Sequence, residues 1–168
     1  MSRACVRSER TLLVLLLALG LAGCAGLGEA EKPVVVGATL EEAKAASLAV
    51  QDEIVAFVPE EHITKTNRDD KTSLLSCGEG MYLWPGGTTL LLDGETDQQG
   101  VIEQMKSRFE PSPEWTVKPL TDAALIGTEL RRDDGLGLFV NFSQPGDRFS
   151  ITGFSTCFPF EPKLGADY

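Results

Sequence analysis

The sequence predicts an α+β domain in which two helices cover one face of an antiparallel sheet. Two stretches, each opened by a threonine capping box, repeat apolar residues at helical spacing. Between and after them, short apolar or alternating runs are set off by Pro, Gly and Asp-Gly turn signals. The resulting order, α-β-β-α-β-β-β-β, suits helices gathered on one side of a sheet. At 168 residues, 42% hydrophobic and 24% charged, the chain has the length and composition of one globular domain and none of the bias of a collagenous, coiled-coil or wholly disordered one.

Thr39-Leu40-Glu41-Glu42 is the first capping box. Leu40, Ala43, Ser47, Val50, Ile54 and Phe57 follow at three- and four-residue steps, which predicts a helix over 40–58 that Pro59 ends. Residues 59–71 are polar and read as an irregular loop. Strands are expected over 74–83 and 88–92, with Trp84-Pro85-Gly86-Gly87 as the turn between them. A second box, Thr96-Asp97-Gln98-Gln99, opens a helix over 97–109 in which Ile102, Met105 and Phe109 share a face. Strands follow over 115–120, 123–132, 136–142 and 148–156. Asp133-Asp134-Gly135 marks a hairpin between the second and third of these, and Gln144-Pro145-Gly146-Asp147 turns the chain into the last. Leu136, Leu138, Val140 and Phe142 alternate with Gly137, Phe139 and Asn141, the pattern of a sheet with one covered side. Residues 159–168, with Pro159, Pro162 and Gly165, read as a loose tail.

Ahead of this domain stand Arg3, Arg7 and Arg10, then an uninterrupted apolar run from Leu12 to Leu21. A basic start and a ten-residue apolar run make an export signal. At ~1.5 Å per residue the run spans roughly 15 Å, half of what a permanent membrane helix needs. It closes on Leu21-Ala22-Gly23-Cys24, which resembles the lipobox of bacterial lipoprotein signal peptides. The resemblance implies cleavage between Gly23 and Cys24 and a diacylglycerol thioether on Cys24, so that acyl chains hold the protein at the extracytoplasmic face of the cell membrane. Two chains anchor firmly where one is marginal, at ~0.8 kcal/mol per buried CH₂. The expected organisation is therefore a signal peptide over 1–23, a lipidated N-terminus and flexible tether over 24–38, the α+β domain over 39–158 and the tail over 159–168.

The whole chain carries 15 basic and 25 acidic residues, a net charge of −10. Removing 1–23 takes away three Arg and one Glu, leaving the mature chain at −12. That balance repels phosphate backbones and excludes nucleic acid as an expected partner. It also gains nothing from anionic lipid headgroups, so the acyl chains alone are expected to hold the membrane.

With Cys5 discarded and Cys24 lipidated, Cys77 and Cys157 are the two thiols left to the mature chain. In an oxidising compartment they are expected to form a disulfide. The alternatives are two separate buried thiols or a metal pair, and two cysteines with no nearby His make a poor metal site. Lipobox, tether, helix, the polar segment from Arg68 to Cys77, second helix, and a final alternating strand (Phe149 to Thr156) running into Cys157-Phe158 together resemble the small LppA-like lipoproteins of actinobacteria. The resemblance implies the anchor, the disulfide and the α+β fold, and it implies no activity. The Trp84-Pro85-Gly86-Gly87 segment departs from the pattern.

Little in the chain points to catalysis. Nucleophilic triads need an imidazole, and His62 is the only one; it stands among Glu60, Glu61 and Thr64 and reads as a solvated loop residue. Zinc hydrolysis lacks ligands for the same reason. Asp93, Glu95 and Asp97 alternate as in a calcium loop, but Gln98 and Gln104 stand where an EF-hand needs Gly and Glu, so turn and helix-start chemistry explains them. The remaining carboxylates, such as Glu79, Glu110 and Glu114, could form a glycosidase pair only if two of them face each other across a cleft. No Gly-rich phosphate loop is present. No catalytic residue, metal or cofactor is expected.

Trp84 and Trp115 offer either a stacking surface or core closure. With His62 and Arg68 they form the candidate interaction surface. The expectation is a non-catalytic, lipid-anchored envelope module that binds a protein or cell-wall partner through its sheet or through 59–71. A carrier of small apolar ligands and a carboxylate-dependent glycan hydrolase are the alternatives.

Overall fold

The computed structural model describes residues 38–122, 124–143 and 145–168. The expected signal peptide, the Gly23–Cys24 junction and the tether up to residue 37 lie outside the described residues.

Helix α1 runs Leu40–Val55 and opens with the expected capping box. Glu42 N donates to Thr39 Oγ1 at 3.2 Å while Thr39 N donates to Glu42 Oε2 at 2.8 Å, which holds the Glu42 carboxyl below its usual pKa. The helix stops three residues short of the expected end. Phe57 N and Val58 N bond back to Ile54 O and Val55 O, a tighter turn that leads into Pro59.

Among the described residues, nine strands follow in two sheets. They are β1 (Ile63–Asp69), β2 (Leu75–Gly78), β3 (Met81–Leu83), β4 (Pro85–Leu92), β5 (Trp115–Pro119), β6 (Ile126–Arg132), β7 (Gly137–Phe142), β8 (Arg148–Phe154) and β9 (Phe158–Pro159). The larger sheet has the order β1-β4-β8-β7-β6-β5 and the smaller β2-β3-β9, with every pairing antiparallel. Helix α2 (Gln98–Phe109) packs on β5 and β6, and α1 packs on β8. The fold is α+β, as expected.

Residues 63–69 are a strand and not a loop. The segment has no apolar alternation because β1 is an edge strand whose residues 64–69 are all exposed. The expected single strand over 74–83 is a hairpin, broken at Gly80, whose φ of 66° favours a residue without a side chain. Pro85, Gly86 and Gly87 are not a turn; they begin β4 and pair with Phe154, Gly153 and Thr152. The glycines there serve close approach: a Cβ on Gly87 would lie 2.7 Å from Ile151 O. Helix α2 is capped one residue later than expected, by Asp97 Oδ1 accepting from Gly100 N at 3.0 Å, while Thr96 is buried. The strand expected from 123 starts at Ile126, and the one expected over 148–156 ends at Phe154 as β8, with the separate β9 following it. Residues 159–168 are not loose: Thr72 and Tyr168 exchange backbone hydrogen bonds, and Phe160 stacks edge-on against Phe158 and Tyr168.

The main core lies between the helices and the larger sheet. Val50, Ile54, Met105 and Phe109 from the helices meet Leu90, Leu130, Leu138, Val140, Phe142, Phe149 and Ile151 from the strands. Each such side chain contributes about 1.5–3 kcal/mol by leaving water. Along α1, Ser47 and Gln51 are fully buried because the helix lies close to β8 at Gly153, where a Cβ would stand 2.6 Å from Gln51 Nε2. Thr88 Oγ1 satisfies Gln51 Oε1 at 2.9 Å, so the buried amide does not stand unpaired. A second cluster, Ala43, Trp84 and Phe158, joins the start of α1 to the smaller sheet. The disulfide Cys77–Cys157 ties β2 to the residue before β9, with Cα atoms 6.5 Å apart.

Candidate interaction surface

The chain reaches β1 through a single turn of tight helix, Glu60–His62. His62 is fastened to the end of β4 twice. Its Nδ1–H donates to Asp93 Oδ2 at 2.9 Å, and its carbonyl accepts from Asp93 N at 3.1 Å. The bond to Asp93 raises the imidazole above its usual value near 6.5; desolvation opposes this, and the negative charges of Asp93, Glu61 and Glu95 reinforce it. The same bond lowers Asp93, helped by Glu95 N.

Beside this clasp, an open groove of about 650 Å³ separates the end of α1 from β1. Val55, Val58, Pro59 and Ile63 give it an apolar floor, and Glu60, Thr64, Lys65 and Thr66 a polar margin. Further along β1, Arg68 reaches over the helix-side face to ion-pair with Asp52 of α1. His62 and Arg68 are therefore both on one sheet edge, at or beside opposite ends of its strand.

The tryptophans are not. Trp84 is completely buried, its Nε1 donating to Tyr168 O at 3.1 Å and Lys44 Nζ lying 5.1 Å from its ring centroid. It belongs to the core and presents no stacking surface. Trp115 is half-buried at the opposite sheet edge, edge-on to Phe109 at 5.0 Å with the Arg132 guanidinium 5.6 Å from its ring.

The acidic residues are committed to local structure. Asp93 Oδ1 accepts from Glu95 N, Asp97 caps α2, and Asp134 takes both Arg132 Nε and Arg132 Nη2 in the β6–β7 hairpin. Burial pushes the Asp134 carboxyl up, but Arg132 and the N–H of Leu136 outweigh it and the net shift is downward. Glu79 sits in the β2–β3 turn, whereas Glu110 and Glu114 sit between α2 and β5. Among the described residues no three His, Cys, Asp or Glu side chains are placed to hold a metal ion, and no helix is long and apolar enough to cross a membrane.

Sequence reasoning missed the β1 edge itself. Its register sets Lys65, Asn67 and Asp69 opposite Leu91, Thr89 and Gly87, so these three share the face away from the helices, and Thr66 and Arg68 share the other. The available signal was the regular Lys-x-Asn-x-Asp spacing rather than hydrophobicity.

No protein-family model matches the chain, and no curated protein matches it. Among solved structures, a DUF4853 family protein from Actinomyces odontolyticus overlaps 75% of this chain and 67% of its own at 16% identity, with a TM-score of 0.37. Similarity of that extent carries neither fold nor function across.

Proposed function

We propose that the protein is a lipid-anchored extracytoplasmic envelope module, non-catalytic, which binds a protein or cell-wall partner at the groove between α1 and β1. The observation that carries this reading is the Cys77–Cys157 disulfide, since such bonds persist where the compartment is oxidising. It accords with the lipobox residues Leu21 to Cys24 and with the likeness to LppA-like lipoproteins. The groove is open to solvent and half polar in its lining, which suits a polypeptide or glycan better than a small apolar ligand enclosed on all sides.

Mass spectrometry of the N-terminal peptide and fractionation of cells test the reading. The mature chain is expected to begin at Cys24 with acyl mass on it, and Cys24→Ala is expected to leave the membrane fraction. A mature chain that begins upstream of Cys24, or lacks acyl mass, overturns it.

A further inference from the structure

We infer that the β1 edge docks a second copy of this chain, the two β1 strands pairing antiparallel with Asn67 opposite Asn67. The six-stranded sheet has β4 on one side of β1 and, among the described residues, no strand on the other. Thr64 to Asp69 are all exposed. A bare edge of this kind must be paired, covered or guarded by charge. The pairing with β4 is irregular only between Ile63 and Lys65, so residues 65–69 offer a flat, regular template. The groove beside β1 leaves its helix-side flank open along Ile63 to Thr66.

The charges on this edge complement themselves. When β1 meets its own copy about Asn67, Lys65 of each chain stands opposite Asp69 of the other, on the helix-free face. Two opposite-charge pairs then flank an Asn–Asn pair at directly facing positions, where Cβ atoms lie ~4.5–5.5 Å apart. Thr66 faces Arg68 on the other side, and both helix layers fall on the same face of the continued sheet. Neighbouring registers are poorer. A slip of one residue one way sets Lys65 against Arg68, and a slip of two the other way sets Arg68 against itself, both like-charge contacts. Of the neighbouring registers, only the one about Asn67 sets Lys65 opposite an acidic residue that itself belongs to β1.

The test is cysteine crosslinking of the full chain in intact cells. Facing Cα atoms of an antiparallel pair lie ~4.5–5.5 Å apart, within disulfide reach, so Asn67→Cys is expected to give a covalent dimer on non-reducing gels. Thr152→Cys, on the same face but two strands inward on β8, is expected to give none. In the Asn67→Cys background, Lys65→Asp sets Asp against Asp twice and is expected to lower the dimer yield roughly fivefold or more. Adding Asp69→Lys reverses both charges and is expected to restore it. Absence of the Asn67→Cys dimer, equal linking through Thr152→Cys, or failure of the second reversal to rescue the first overturns the inference. None of these outcomes depends on the acyl mass at Cys24, so this inference and the anchoring reading stand or fall separately.

Discussion

Gly86 lies directly under the indole of Trp84: a Cβ built on Gly86 would sit 1.9 Å from Cη2 and 2.2 Å from Cζ2 of that ring. Trp84 has no room to retreat, being fully buried between the start of α1 and the smaller sheet and tied through Nε1 to Tyr168 O. Gly86→Ala is therefore expected to cost about 3 kcal/mol through overpacking. Gly137→Ala, where the nearest atoms stand 4.0 Å from the new Cβ, is expected to change stability by no more than about 1 kcal/mol. Urea unfolding of the two variants against the parent checks both, and equal midpoints would remove the packing argument.

The His62–Asp93 clasp sets a pH dependence. His62 has a folded pKa above its unfolded one, so its contribution is full below about 6.5 and is lost as pH rises through the folded value. Asp93 has a folded pKa below its unfolded one, so its contribution is full above about 3.8 and is lost as pH falls through the folded value. Between these limits the pair is charged on both sides and strongest. Because His62 is the only histidine, its imidazole proton resonance titrates alone in an NMR spectrum. It is expected to show a pKa above 6.5, and Asp93→Asn is expected to bring it down. An unchanged titration in that variant would mean the contact is not populated in solution.

Opening the disulfide is expected to be costly. The bonded cysteines are 80 positions apart, and closing a loop of that length removes unfolded-state entropy worth about 4.5 kcal/mol. Cys77→Ser with Cys157→Ser is expected to lower the melting temperature by more than 10 °C, at roughly 4–8 °C per kcal/mol at the midpoint for a small domain. Thermal scans with and without reductant check this: reductant should lower the parent's transition and leave the double variant's unchanged.

What the sequence made legible follows from which residues are buried. Both helices announced themselves, because Thr39 with Glu42 forms a real capping box and Ile102, Met105 and Phe109 fall on one buried face. The cap of α2 was misplaced by one because Thr96 and Asp97 are both capping residues, and only burial of the first decides between them. β7 and its hairpin from β6 were legible through strict alternation and Gly135, whose φ is 98°. β1 was not, since a strand exposed on both faces has no alternation to display. Gly86 and Gly87 misled for a different reason: glycine marks close contact as well as turns, and only the neighbouring strand and ring reveal which. Of the candidate surface, His62 and Arg68 lie at the β1 edge and Trp84 is buried, because burial of an aromatic beside a Pro-Gly pair depends on chain segments 71 residues away, here Ser155.

The Cys77–Cys157 bond also divides the chain topologically. Six whole strands, β3 to β8, and α2 lie inside one covalent ring, whereas α1 and β1 lie outside it and are held by noncovalent contacts. A protease that nicks any peptide bond between 78 and 156 leaves every fragment attached. A single nick in the connection after Asp69 and before Cys77 instead severs the ring from the part that bears α1, and on unfolding the two would separate. That short connection, unlike any bond inside the ring, is where one cut parts the helix and edge strand from the rest of the domain.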